Sequence, residues 1–151
     1  MTDATQPGLR SFIVYDELPA GCIAFEVPDS TSLPHVRPGE FVVIDPEDRD
    51  PAEGELFAIT WKSSFDRKWQ IVQMDLRAGR YGKNGVMRDE SLWFVGAPAP
   101  QRMMSLAGHY VGEAIRWADG PYYDDYLRDI THGKIIGILE PDFRAALKKA
   151  A

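Results

Sequence analysis

The chain has little that would tie it to oxidation, membranes or nucleic acid. It contains one cysteine, Cys22, so no internal disulfide can form and the fold does not depend on an oxidising compartment. None of its apolar runs approaches the ~20 residues that a membrane-spanning helix needs. Residues 1–10 are polar, with Pro7 and Gly8 as breakers, and hold no apolar signal-peptide core. They read as a loose tail ahead of one domain over residues 11–151. Lys and Arg number 17 against 23 Asp and Glu, a net charge of −6, which repels phosphate backbones and argues against direct nucleic-acid binding. The three histidines, His35, His109 and His132, stand apart, without the close pairs that zinc sites show. The expectation is a cytoplasmic protein with no membrane contact, no metal and no cofactor.

What is present suits one globular domain. With 44% hydrophobic and 26% charged residues, the 151-residue chain can bury a single core. Short apolar runs rich in β-branched and aromatic residues predict strands near 12–15, 22–27, 41–44, 56–61, 69–74, 92–95, 110–117 and 135–139. Pro38-Gly39, Pro51 through Gly54, Lys83 through Gly85 and Gly120-Pro121 punctuate them. Helix signals are confined to the last third. Pro121 suits a first helical position and Gly133 a position just past the end, with Tyr122, Tyr123, Tyr126, Leu127 and Ile130 at helical spacing between them. A second short helix is expected after Pro141, over residues 142–149. No repeat or low-complexity segment interrupts this order. Nothing before residue 120 supplies the helices of a helix-turn-helix reader. The fold class that follows is mainly β with one or two short C-terminal helices.

One stretch carries more information than the rest. A strand runs into Pro28-Asp29-Ser30-Thr31-Ser32-Leu33-Pro34, a polar loop rich in hydroxyls. Pro38-Gly39-Glu40 then turns the chain into the apolar strand Phe41-Val42-Val43-Ile44. Gly54-Glu55 makes a second turn into the strand that starts at Leu56, and Trp69 to Met74 supplies a third strand. Near the end, Gly133-Lys134-Ile135-Ile136-Gly137-Ile138-Leu139-Glu140-Pro141 forms a closing strand. This order resembles the LexA and signal-peptidase superfamily of Ser-Lys peptidases, with its Gly-Asp-Ser-Met-x-Pro nucleophile loop, two Gly-Asp turns and a lysine on the third strand. The likeness runs from about Cys22 to Met74 and again over 133–141, roughly half the chain. The resemblance implies a LexA-catalytic-domain-like set of folded β-sheets, often paired as a homodimer, that holds an extended peptide beside the nucleophile loop.

The departures from that pattern bear on activity. Counting back from Pro34, Thr31 stands where the family has its serine, Asp29-Ser30 replaces Gly-Asp, and Ser32 replaces Met. On the third strand, Ile71-Val72-Gln73-Met74 overlies Val-Lys-Arg-Leu, so Val72 takes the position of the general base. A hydroxyl needs a base to take its proton, and valine has no titratable group. Lys68 shares a strand face with Val72 but lies four residues away, roughly 13 Å at about 3.3 Å per residue. Lys62 is no better placed. Ala20-Gly21, the kind of bond that self-cleaving relatives cut, is held on the order of 20 Å from Thr31 by the strand between them. The expectation is a pseudoenzyme: a peptidase-like domain with no catalytic residues that acts in protein–protein interaction or regulation, in a prophage or stress setting. Two rivals stay open. One is an active Ser-Lys peptidase, cutting itself or other chains, that uses Ser30, Thr31 or Ser32 with Lys68. The other is a regulatory partner of a separate DNA-binding chain.

For the hydroxyl cluster the plain alternative is a loop whose side chains satisfy their own backbone. Asp124, Asp125 and Asp129 read as a solvated helix face, and Cys22 as a small strand residue. Trp117, Tyr122, Tyr123 and Tyr126 suit either core packing or an interface. With Ile136 and Ile138 of the closing strand, read as an exposed edge, they are the candidate surface for a two-fold homodimer.

Overall fold

The computed structural model describes residues 12–33, 35–97, 101–114 and 118–140. They form a mainly β fold with one short helix. The strands are β1 (Ile13–Tyr15), β2 (Ile23–Glu26), β3 (Phe41–Asp45), β4 (Leu56–Ile59), β5 (Gln70–Lys83), β6 (Val86–Gly96), β7 (Gln101–Met104), β8 (Tyr110–Ala114), β9 (Asp119–Tyr122) and β10 (Thr131–Leu139). Helix α1 spans Asp124–Ile130. Eight strands share one sheet in the order β2-β3-β10-β4-β5-β6-β9, with β1 joined in parallel to β10, and β7 and β8 make a separate pair.

The core follows from side-chain alternation. Every residue of β4 is buried, which requires cover on both faces of the sheet. Leu56 and Ala58 point to one face, where they meet Val27, Val36, Val42, Ile44, Ile71 and Ile135. Phe57 and Ile59 point to the other, where they meet Val72, Met74, Trp93, Val95, Leu127 and Ile130. Burying each such large side chain contributes about 1.5–3 kcal/mol. The loop after β2 covers the first face and α1 covers the second. At seven residues α1 is too short to persist alone, so Leu127 and Ile130 packed under it are what hold it. Asp124 and Asp125 in its first turn and Arg128 in its last complement the helix dipole. Asp124 also accepts a 2.7 Å hydrogen bond from the Trp93 indole N–H.

Several sequence expectations are corrected here. The strand expected over 135–139 begins at Thr131. It is no edge: β3 pairs along one side over 134–138, and β4 then β1 pair along the other. Ile136 and Ile138 therefore lie in the middle of the sheet, half-buried. Pro121 does not open the helix. It lies inside β9, after a cis Gly120–Pro121 bond. An edge strand of the sheet tolerates a residue without an N–H, which a central strand does not. Tyr122 is likewise a strand residue, and Tyr123 is the residue before the helix. Gly133 does not cap the helix but belongs to β10, where a Cβ would collide with the Asp45 carbonyl oxygen.

The strands expected over 69–74 and 92–95 are the ends of a much longer hairpin, paired from Gln73↔Gly96 to Lys83↔Val86. Asn84 and Gly85 both adopt positive φ, 54° and 78°, as a two-residue turn matched to strand twist requires. Strands β7 and β9 were not foreseen. The tail 1–10, the loop Pro34, Trp117 and the second helix expected over 142–149 lie outside the described residues. No helix among the described residues is long and apolar enough to cross a membrane.

Candidate functional site

The hydroxyl-rich loop is built on two anchors. Val27 and Val36 at its ends are buried in the first core cluster. Its base is tied by Val27 N–H to the Glu40 carbonyl (2.8 Å) and by Gly39 N–H to the Val27 carbonyl (3.0 Å). Gly39 at φ 87° makes the turn that permits the second of these. Between the anchors, the Ser32 carbonyl accepts from the backbone N–H groups of His35 and Val36. The second Gly-Glu turn works the same way. Gly54, at φ 76°, donates to the Met74 carbonyl at 2.7 Å, and Met74 N–H donates to the Glu55 carbonyl at 3.2 Å. This second turn joins β4 to β5 in the register Phe57↔Val72.

That register brings the loop and β5 together. A cleft of about 200 Å³ is lined by Asp29, Thr31 and Ser32 from the loop and by Gln70, Ile71 and Val72 from β5, with Trp61 and Trp69 at its sides. The Trp61 indole donates to the Gln70 side-chain oxygen at 3.0 Å. Thr31 and Val72, paired by sequence reasoning, thus meet in one cavity. Val72 is only 4% exposed and belongs to the second core cluster. The Thr31 hydroxyl donates to Asp29 Oδ1 at 2.6 Å, and the Thr31 N–H donates to the same oxygen at 3.1 Å. The Thr31 hydroxyl is thus engaged by the neighbouring Asp29 side chain and not by backbone.

The other candidates are placed as follows. Ser30 is exposed and does not line the cleft, whereas Ser32 does and is buried. Lys68 is exposed, sits 3.8 Å from Asp66, and does not line the cleft. Lys62 pairs with Asp129 and lies over the Tyr126 ring. Tyr122 stacks on Tyr126 (5.0 Å, 11°) and packs beside Trp61 (5.6 Å), so both tyrosines serve packing within the chain. Burial, and then Asp119 as its hydrogen-bond partner, push the Tyr122 hydroxyl far above its usual pKa. Tyr123 is exposed and donates to Glu90. Burial, then Asp45, raise the Cys22 thiol pKa, which disfavours the thiolate. Among the described residues no cluster of three His, Cys, Asp or Glu side chains is placed to hold a metal.

Sequence reasoning missed one arrangement. His132 Nε2 lies 2.6 Å from Thr60 Oγ1, and the imidazole stacks on the Trp69 indole at 3.8 Å and 9°. The partners are 72 residues apart, so no local spacing could announce them. Comparison of the chain with protein-family models, with curated proteins and with solved structures returned no match.

Proposed function

We propose that this is a peptidase-like domain, akin to the LexA and signal-peptidase superfamily, that holds an extended peptide in the cleft between the hydroxyl loop and β5 without cutting it. The observation that carries this reading is the pairing of Thr31 with Val72 in one cavity, a hydroxyl opposite a side chain that cannot accept a proton. The carboxylate within reach, Asp29, holds the Thr31 hydroxyl as its own hydrogen-bond donor. The backbone of β5 supports peptide binding. Its ladder with β6 starts at Gln73↔Gly96, so Gln70 to Val72 pair on the β4 side alone among the described residues. An extended segment laid there gains main-chain hydrogen bonds, with side-chain selection left to the pockets around Trp61 and Trp69. Homodimerisation and a role as regulator of other proteins belong to the same proposal.

Two measurements test it. A fluorophosphonate probe at neutral to alkaline pH is expected to leave Ser30, Thr31 and Ser32 unlabelled, and intact mass is expected to show no cleavage at Ala20-Gly21. Labelling of any of the three that is lost in the matching alanine variant would restore the Ser-Lys peptidase reading. For binding, a library of unstructured peptides is screened by fluorescence anisotropy. Hits are expected to slow amide exchange at 70–72 and to be lost in Val72→Arg. Hits that protect no cleft residue would end the peptide-holding reading.

A further inference from the structure

We propose that Thr60 and His132 form a nucleophile–base pair able to take an acyl group from a small activated ester, in a trough distinct from the loop cleft, with Trp69 lining both. The geometry begins with a β-bulge. In the β10–β4 ladder, Thr131 pairs with Ile59 and Gly133 with Ala58, so His132 is the extra residue on its strand. Bulges of this kind re-aim a side chain. The distortion is held on both sides. Asp45 leaves no room for a Cβ at position 133, and the Thr60 N–H donates to the Ile130 carbonyl at 3.0 Å, fixing Thr60 just beyond the end of β4. Trp69, flat against the imidazole, sets the plane of the ring. The product is an Nε2–Oγ1 separation of 2.6 Å, the distance at which a base takes a hydroxyl proton.

The surroundings favour the same chemistry. Partial burial holds the imidazole below its usual pKa of 6.5, so the base form is present at neutral pH. The pair opens onto a trough of about 410 Å³, and Lys62, Arg67 and Asp129 are the charged residues among its described lining. Lys62 is engaged by Asp129. Exposed Arg67, held at a left-handed φ of 56°, is the cation available for negative charge developing on a carbonyl oxygen. Threonine's branched Cβ restricts χ1, which helps to keep the hydroxyl aimed at the ring.

The reaction is ordinary acyl transfer. His132 Nε2 removes the Thr60 proton as Oγ1 bonds to the ester carbonyl carbon. The bond to the leaving oxygen then breaks, and that oxygen takes the proton back from the imidazolium. Thr60 is left as an ester and the alcohol departs; water, activated in the same way, releases the acid. Among the described residues the imidazole is held by Thr60 and Trp69 and by no carboxylate, so the pair lacks the third member of a triad. The substrate class is therefore an activated ester and not a peptide amide.

The test uses the intact protein with 4-nitrophenyl acetate. Rapid release of nitrophenolate is expected, with one acetyl group found by peptide mapping on Thr60. Thr60→Val and His132→Gln are each expected to slow acetylation about 100-fold or more, whereas Thr60→Ser and Thr31→Ala keep it. In the unmodified protein the rate is expected to rise with pH along a limb centred below 6.5 and then to level. Acetyl found on Lys62 or other lysines but not on Thr60, a rate unchanged in a folded His132→Gln variant, or a profile that climbs only above pH 8 would overturn the assignment. The profile needs no variant, so a substitution that fails to fold leaves the proposal decidable.

Discussion

Replacing Val72 with lysine tests the reading of the cleft most directly. Val72 is 4% exposed and packs among Phe57, Ile59, Met74 and Val95, yet it also lines the cavity beneath Thr31. Removing the buried isopropyl group forfeits roughly 1.5–2 kcal/mol. A lysine fully enclosed there would have to become neutral. Lowering its pKa from about 10.4 to 7 costs about 4.6 kcal/mol, at 1.36 kcal/mol per unit. The cleft offers the amine a way out, because its stem can follow the β5 surface and leave the charge in solvent. The expected loss is therefore near the transfer cost alone, about 2 kcal/mol, or a fall in Tm of roughly 4–8 °C for a chain of this length. Differential scanning calorimetry measures it.

Val72→Lys alone is expected to give no fluorophosphonate labelling, because the Thr31 hydroxyl is committed to Asp29 and its branched Cβ resists reorientation. Thr31→Ser combined with Val72→Lys is the fairer reconstruction and is expected to label faster. Loss of folding in Val72→Lys would mean that Val72 has no outlet into the cleft. Labelling of the single variant equal to the double would mean that Thr31 does not occupy the nucleophile position.

Other consequences follow from the same contacts. Gly133→Ala is expected to destabilise by about 2–4 kcal/mol, since the clash is with backbone that cannot move aside, and a shift in the urea midpoint measures it. His132 makes stability depend on pH. Burial lowers its folded-state pKa, so the unfolded chain binds more protons, and the stabilisation present above 6.5 is lost as pH falls through 6.5 to the lower folded value. Urea unfolding at about pH 7.5 and pH 5 is expected to show this slope, and His132→Gln to flatten it; Asp66 and Asp129 act only in the acid range below 3.8. Tyr126→Ala removes a stacked partner from Tyr122 and from beneath Lys62. It is expected to lower stability by about 2 kcal/mol without changing the molecular mass in light scattering. A dimer of unmodified protein that dissociates in this variant would return Tyr126 to the interface.

Much of the fold could be read directly from the chain. β-branched runs bounded by Gly and Pro located most strands, because alternation of side chains is a local property with period two. The turns at Gly39 and Gly54 were legible for the same reason, as both need a left-handed residue that glycine supplies. The meeting of Thr31 with Val72 was legible only through an ordered series of turns and strands. The breakers from Lys83 to Gly85 marked a turn, but the length of the hairpin around it was obscured because the described residues between Leu76 and Ser91 are mostly exposed, Val86 and Met87 included, and carry no burial pattern. Tertiary structure alone decided the rest. Whether the apolar strand Thr131–Leu139 lies at an edge or in the centre depends on which distant strands reach it, and β1, β3 and β4 all do. Pro121 is compatible with a helix start or with an edge strand, and only the sheet's order distinguishes them. The Thr60–His132 pair arises from a one-residue register shift between strands far apart in the chain, a feature set by pairing and not by composition.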